Sequence, residues 1–246
     1  MHVRALISGL WVGGIVLQGL LVVVLLARKG WKSFPIFASY ASVSFASSVA
    51  GFLIYRHLNA YFYFFWIKES ITVILGLAVV YEIFSHLFSL HTALRKLATN
   101  VFQIAVVVLI VLALSVIYWH SPAGLHGAST GVLAAEEAAR ILEVGLLLVL
   151  FLSTSAFGLH WKQSIFGIGI GLGIFTAVQL IGVTMRSQVG PAVADVISVT
   201  SILAFDISLL IWIGYMLVPE RVATGEVPKT AQLEQWNQAI AELIHQ

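Results

Sequence analysis

Long apolar stretches separated by short polar segments dominate the pattern of residues along the chain. A membrane-spanning helix needs roughly 20 apolar residues to cross about 30 Å of hydrocarbon, and seven stretches reach that length. They run over about 5–27, 34–55, 67–90, 98–118, 138–159, 164–184 and 193–217. Since an isolated strand would leave its backbone unpaired in lipid, each span is predicted to be a helix. The pattern predicts an all-α bundle of seven transmembrane helices over residues 1–218.

Basic residues in the short connections predict which way the bundle faces. Positive charge is retained on the cytoplasmic side of a membrane. One side carries most of it, in the connections after spans one, three and five and in the tail: Arg28, Lys29, Lys32, Arg95, Lys96, Lys162, Arg221 and Lys229. We therefore expect the N-terminus outside and the C-terminus in the cytoplasm.

Two segments are predicted to lie clearly outside the membrane. One is an outer loop over about 119–135, and the other is the cytoplasmic tail over 219–246. Apolar residues recur at helical spacing in the tail and predict an amphipathic helix over about 230–245. This helix carries no Lys or Arg, whereas a helix lying on lipid usually has a basic polar face. We expect it to pack on protein, either its own bundle or a partner.

The composition changes the picture by exclusion. The 246 residues are 60% hydrophobic and 10% charged, with no cysteine and a net charge of +2. Soluble domains carry about 25% charged residues, so a soluble globular enzyme is excluded, as is a disordered chain. Thiolate metal and iron–sulfur sites are excluded by the missing cysteines, and scattered basic residues do not make a nucleic-acid surface. The class that remains is a protein embedded in a lipid bilayer.

Four charged residues lie near the outer ends of two spans and are candidates for a site. Lys68 and Glu69 begin span three, and Arg140 and Glu143 share one helical face at the start of span five. The four charges can form a network of zero net charge, which is either a structural ion-pair clamp or the floor of an outward-facing ligand site. Such a site would suit a polar or zwitterionic ligand. Its aromatic rim would be Tyr61, Tyr63 and Trp66.

Further ionisable residues lie deeper in the spans. Glu82 and His86 share a face in the inner part of span three, and Asp206 lies near the middle of span seven with Ser208 and Gln179 as candidate neutral partners. An ionised carboxylate at that depth costs about 2.5–3.5 kcal/mol, so a protonated Asp206 is expected. The ionisable groups are ordered by depth from the outer to the inner side of the membrane, as a proton relay would require. The order is Glu69 and Glu143, then Asp206, then Glu82 and His86. The alternative is that each acid is a neutral hydrogen-bonding group.

Cofactor and catalytic motifs are sparse. Haem held by His86 and His160 is disfavoured because His160 borders Trp161 and Lys162 at the predicted interface. No HExxH or other closely spaced metal cluster occurs, and no catalytic motif occurs. We expect no cofactor, and an intramembrane enzyme has no motif in its support.

Small residues in span six indicate close helix packing. Gly167 and Gly171 form one small-xxx-small pair, and Gly169 and Gly173 form a second on roughly the opposite face. Such pairs let a neighbouring helix approach closely. The neighbour is either a helix of the same bundle or a protein partner.

Two resemblances bear on the layout. Seven helices with an outer N-terminus resemble microbial rhodopsins and G-protein-coupled receptors in layout only. Retinal proteins hold their chromophore through a lysine in the seventh helix, and span seven has none, so retinal is excluded. The Asp-Arg-Tyr and Asn-Pro-x-x-Tyr signatures of the receptors do not occur either.

Local sequence gives a closer resemblance. The chain is similar in local pattern to seven-span membrane proteins from bacterial genomes, notably acidobacterial ones. The pattern consists of the run Tyr61-Phe-Tyr-Phe-Phe-Trp66, followed by Glu69 and by Tyr81-Glu-Ile-Phe84, and of Leu233-Glu-Gln-Trp236-Asn in the tail. The resemblance covers most of the chain. It implies a bacterial inner-membrane protein and no activity, so it carries over no functional residue.

Three functions stay open. A receptor-like sensory module would use an outward-facing polar site and its short cytoplasmic helix. A proton-coupled transporter would use the acid series through Glu69, Glu143, Asp206, Glu82 and His86. A structural or assembly subunit of a larger membrane complex would use the small-residue faces and the 230–245 helix.

Overall fold

The computed structural model describes residues 2–54, 58–88, 100, 103–104, 106–108, 110–111, 115, 127–156, 163–189 and 194–218. Within these ranges the regular structure is helical. The helices are α1 (His2–Ala27), α2 (Gly30–Ser33), α3 (Pro35–Ile54), α4 (Leu58–Phe88), α5 (Gly127–Ala156), α6 (Gln163–Val189) and α7 (Ala194–Leu217). The predicted all-α class is confirmed.

Six of these helices are long and apolar enough to cross a membrane. The candidate spans are Gly9–Ala27, Pro35–Ile54, Ile67–Leu87, Glu136–Ser155, Gln163–Met185 and Asp195–Leu217. Their lengths of 19–23 residues match the thickness of a hydrocarbon core. The chain is therefore a multi-pass membrane protein.

Two predicted elements fall largely beyond what the structure describes. Of the predicted span over 98–118, the residues at 100, 103–104, 106–108, 110–111 and 115 are described, and they are helical. Val106 packs against the core, whereas Val107 and Val111 are each 60% exposed. The predicted tail helix over 230–245 lies outside the described residues.

The predicted outer loop over 119–135 differs from the structure in its second half. Helix α5 begins at Gly127, about three helical turns before the expected span. Alanines and glutamates favour helix, and residues 134–139 read Ala-Ala-Glu-Glu-Ala-Ala. The helix therefore continues beyond its apolar segment instead of ending where hydrophobicity ends.

The long helices close into a ring in which chain neighbours are mostly spatial neighbours. Contacts run from α1 to α3, α3 to α4, α4 to α5, α5 to α6, α6 to α7 and from α7 back to α1. Helices joined by short connections pack antiparallel. Two neighbouring pairs run in parallel instead. In α4 and α5, Glu69 contacts Arg140 and Gly76 contacts Glu143, and in α1 and α7, Gly14 faces Asp206 and Arg28 bonds Leu217.

The half of the bundle where α1 ends contains the packed core. Its buried members include Leu25, Phe37, Ile83, Leu150, Ile168, Leu209 and Trp212. At the same end the guanidinium of Arg28 donates to the carbonyl oxygen of Leu217 at 2.8 Å, which places a cation at the C-terminus of α7, where the helix dipole favours it. The dense packing here leaves the opposite half as the place for a site.

Glycines set the closest helix contact. A Cβ atom at Gly167 would overlap Tyr215, and one at Gly171 would overlap Trp212. The Trp212 indole donates to the carbonyl oxygen of Ile168 at 3.2 Å. One predicted small-residue face of span six is thus occupied by α7, whereas a Cβ at Gly173 would meet no atom within 4 Å.

Candidate functional site: a polar interhelical cavity

A cavity of about 500 Å³ lies between the six long helices. We call it the interhelical cavity. Its lining residues are Trp11, Gly14, Gln18, Tyr40, Ser44, Ser47, Ser48, Gly51, Phe64, Lys68, Glu69, Thr72, Glu136, Phe175, Gln179, Ser198, Ser201, Ile202, Phe205 and Asp206. Its volume falls within the range of small-molecule sites, about 300–1,000 Å³. It extends from the middle of the bundle toward the end at which α1 begins.

Beside the cavity lies a buried cluster of ion pairs, which we call the Arg140 cluster. The Arg140 side chain is 1% exposed and forms ion pairs with Glu69 of α4 and, at 2.9 Å, with Glu143 one turn further on. Its guanidinium also lies 5.8 Å from the ring centre of Phe175. The structure thus brings together three of the four predicted network residues. Lys68 lines the cavity but forms no ion pair in the described part of this cluster.

Two residues that support the Arg140 cluster were not predicted from the sequence. Gly76 of α4 makes room for the Glu143 carboxylate, since a Cβ at this position would overlap it. Tyr40 of α3 is 2% exposed and within electrostatic reach of Glu143, Arg140 and Glu69. Gly76 could have been found from the sequence, because it lies at the same predicted depth as the acidic side chain of Glu143. Nothing in the sequence distinguishes Tyr40 from a tyrosine that faces lipid.

Asp206 lies on the cavity wall against α1. Its Oδ1 atom is 2.8 Å from the position that a Cβ of Gly14 would take, so the missing side chain at Gly14 admits the carboxyl group. Of the two neutral partners that were predicted for Asp206, Gln179 lines the same cavity. Ser208 instead donates to the carbonyl oxygen of Gly171 at 2.8 Å and belongs to the contact between α6 and α7.

The cavity wall concentrates buried polar atoms that lack a partner. Within the described part of the chain, six buried side-chain atoms have no hydrogen-bond partner, and five belong to lining residues: Gln18 Oε1, Tyr40 Oη, Gln179 Oε1, Ser201 Oγ and Asp206 Oδ1. The sixth, Arg140 Nε, belongs to the adjacent cluster. Buried polar groups are normally hydrogen-bonded, so the residues around this cavity are the candidates for a binding site.

Glu82 and His86 lie away from the cavity, at the start of α3. The two carboxylate oxygens of Glu82 accept hydrogen bonds from the backbone N–H groups of Ile36 at 2.9 Å and Phe37 at 2.8 Å. Nδ1 of His86 lies 2.9 Å from the carbonyl oxygen of Glu82. A side chain that accepts hydrogen bonds from the free N–H groups of a helix start stabilises that helix.

Several predicted site features lie outside the described residues. The side chains of the expected rim, Tyr61, Tyr63 and Trp66, are among them, as is His160. The described aromatic side chains of the wall are Trp11, Phe64, Tyr40, Phe175 and Phe205. Among the described residues, no group of three His, Cys, Asp or Glu side chains is placed to hold a metal ion.

Comparison with protein-family models, with curated proteins and with solved structures finds no match to this chain. The functional argument therefore rests on the residues of the cavity itself.

Proposed function

We propose that the protein is a receptor-like membrane module that binds a small polar ligand in the interhelical cavity. The observation that carries the proposal is that residues of four helices around one cavity contribute five of the six buried polar atoms without a hydrogen-bond partner in the described part of the chain. Leaving a buried polar group unsatisfied costs about 1–3 kcal/mol. A molecule that bonded several of these atoms would recover that cost, so the bound state would be favoured.

Aromatic contacts support a receptor-like role by connecting the cavity floor to the opposite end of the bundle. Tyr40 and Phe205 line the cavity, and their ring centres lie 6.0 and 6.3 Å from that of Trp212. Trp212 in turn lies 5.2 Å from Phe37, whose backbone N–H is bound by Glu82. A ligand that shifts the floor would displace Trp212 and so the start of α3.

The direction of the helices supports the seven-span arrangement. Helices α4 and α5 run in parallel, so the chain between Phe88 and Gly127 has to return across the membrane. The apolar stretch over 98–118 is long enough for that crossing. With seven crossings the termini lie on opposite sides. The basic connections then favour an outer N-terminus, and the bacterial resemblance favours the inner membrane.

A cavity-filling substitution tests the proposal. Ser44 lines the cavity and is 7% exposed, so Ser44→Phe would occupy the ligand volume. Ser42 lies on the exposed side of the same helix, and Ser42→Phe is the matched control. The assay is thermal unfolding of the purified chain in detergent, with and without a panel of amino acids and small amines.

We expect at least one compound to raise the melting temperature of the wild type and of Ser42→Phe, but not of Ser44→Phe. If Ser44→Phe fails to fold, Ser48→Leu fills the same wall. A panel without any stabilising compound, or stabilisation that persists in both cavity variants, would contradict the proposal.

A proton-coupled transporter is the second candidate. Asp206 favours it, because the acid lies on a polar cavity wall with one oxygen unpartnered among the described residues. The hydrogen bonds of Glu82 to the start of α3 count against the inner half of the relay, since a carboxylate that stabilises a helix start is poorly suited to release its bonds in each cycle.

A further inference from the structure

A short basic segment lies at the membrane boundary between α1 and α3. One candidate span ends at Ala27 and the next begins at Pro35, so residues 28–34 lie where the hydrocarbon ends and the lipid headgroups begin. The segment includes Lys29, Trp31 and Lys32, which we call the basic turn. It lies at the opposite end of the bundle from the interhelical cavity.

We propose that the basic turn binds the headgroup of an anionic phospholipid, whose acyl chain lies along the exposed face of α1. The inference goes beyond the proposed function, because it concerns a different surface and a different kind of partner.

The three side chains of the basic turn are close together and accessible. The backbone N–H of Lys32 donates to the carbonyl oxygen of Lys29 at 3.0 Å, which places both lysines in one helical turn. The Nζ atom of Lys32 lies 5.5 Å from the ring centre of Trp31. Both lysines are exposed, and Trp31 is 47% exposed. Two ammonium groups beside a tryptophan suit a phosphate at the headgroup level, where tryptophan is enriched.

Acidic residues of the described chain do not neutralise the basic turn. No Asp or Glu precedes Glu69 in the sequence, so α1, α2 and α3 carry none. The ion pairs among the described residues both lie in the Arg140 cluster. Glu82 reaches the start of α3, but it is buried and accepts hydrogen bonds from backbone N–H groups there. The positive charge is therefore available to an anion from the membrane.

Arg28 holds the segment in place and adds to its charge. Its guanidinium donates to the carbonyl oxygen of Leu217 at the end of α7, at 2.8 Å. This contact positions the beginning of the segment against a second helix. The two lysines that follow are then the cations left to bind a headgroup.

The backbone of Lys29 indicates that its side chain is used for more than the turn. Its φ of 55° and ψ of 25° are left-handed, a conformation that glycine adopts without the steric penalty of a Cβ atom. The side chain makes no capping hydrogen bond to α2. Glycine would therefore serve the turn better, whereas lysine supplies a charge.

An apolar strip that leads to the basic turn favours a phospholipid over a free anion. Val16, Leu20, Val23 and Leu26 follow one another at helical spacing on α1, and all four are exposed. The N–H of Lys29 donates to the carbonyl oxygen of Leu26 at 3.1 Å, so the strip ends directly at the lysines. A lipid molecule matches both parts, since its chain contacts the strip while its headgroup contacts the cations.

Lipid-dependent stability tests the proposal. Thermal unfolding of the purified full chain is measured in detergent micelles with increasing mole fractions of phosphatidylglycerol or phosphatidylcholine, and separately with inorganic phosphate at equal ionic strength. Because a ligand that binds only the folded state stabilises it, we expect a saturable rise of about 4 °C with phosphatidylglycerol. Phosphatidylcholine and inorganic phosphate should give much smaller shifts. Equal stabilisation by either of them would overturn the proposal.

Variants connect the effect to the basic turn. Lys29→Gly and Lys32→Gln should each raise the half-saturating mole fraction of phosphatidylglycerol about fivefold, and together about 25-fold. Arg4→Gln removes a cation from the other end of α1 and should keep the wild-type response. Without added lipid, Lys29→Gly should melt at the wild-type temperature or above it, because glycine accepts the positive φ. Should Lys29→Gly fail to fold, Lys29→Asn replaces it.

A competing partner for the lysines gives a different result. Glu220 follows α7 closely in the sequence, and an ion pair with it would make the lysines structural. Lys29→Gly and Lys32→Gln would then lower the melting temperature without lipid and leave the response to phosphatidylglycerol unchanged. That result, or a response that Arg4→Gln weakens as much as the lysine variants do, would refute a lipid site at the basic turn.

Discussion

The carboxylate of Glu82 accepts a hydrogen bond from the backbone N–H of Phe37, 45 residues away in the chain, at 2.8 Å. With the matching bond from Ile36, a side chain of α4 satisfies two of the N–H groups that the first turn of α3 leaves free. Glu82, which its predicted depth alone assigned to a proton relay, thus stabilises the start of α3.

Removal of this carboxylate should destabilise the fold. Glu82→Ala leaves two N–H groups without their partner, so we expect a loss of about 2–3 kcal/mol. Glu82→Gln keeps one acceptor oxygen and should lose less. Ser85→Ala, on the exposed side of the same helix, is the control, with a change within about 0.5 kcal/mol. Denaturant unfolding in detergent measures all three, and equal stability of Glu82→Ala and wild type would refute the role.

The Arg140 cluster should behave as a coupled unit. Arg140→Ala strands two buried carboxylates, and we expect a loss of about 3–5 kcal/mol. A second substitution, Glu143→Gln or Glu69→Gln, removes one stranded charge and should restore part of it. Lys68→Ala is the control and should cost much less. Double-mutant cycles from denaturant unfolding report the coupling, and strictly additive losses would show that the residues act independently.

Two glycines of one helix should respond oppositely to the same substitution. Gly171→Ala would overlap Trp212 and displace its indole, so we expect a loss of about 1–3 kcal/mol. Gly173→Ala meets no atom within 4 Å and should be neutral, or stabilising by up to about 1 kcal/mol because alanine favours helix. The melting temperatures of the two variants in detergent check the contrast, which equal effects would contradict.

Proton flux separates the receptor-like proposal from transport. We expect liposomes that contain the wild-type chain to show no flux under a pH gradient beyond that of empty liposomes. Asp206→Asn should behave in the same way. Flux in wild type that Asp206→Asn abolishes, with an unchanged melting temperature, would favour the relay and refute the receptor-like proposal.

Topology reporters test the seven spans. Fusions after Lys32, Lys96 and Lys162 should give cytoplasmic signals, and fusions near Gly124 and Gln188 should give external ones, because the basic connections face inward. The same signal at Lys96 and at Gly124 would contradict the crossing over 98–118, and an external signal at Lys32 together with a cytoplasmic one at Gln188 would contradict the outer N-terminus.

The sequence by itself determined that the chain is helical and crosses a membrane several times. The length of an apolar run against the thickness of a bilayer is a property of one segment, so it needs no partner to be recognised. The same holds for the pairing of Arg140 with Glu143, which lie on one face of one helix.

Only the tertiary structure decided which helix faces meet. In a bilayer, an apolar side chain is about as stable facing the lipid as it is inside the bundle. Hydrophobicity therefore does not determine which side of a helix faces the other helices. On α1, Val16 is 65% exposed and Leu21 is fully buried, although both are aliphatic. The contact of Asp206 with Gly14, the bonds of Glu82 to α3 and the convergence of Gln18, Gln179 and Ser201 on one cavity follow from packing between helices distant in sequence.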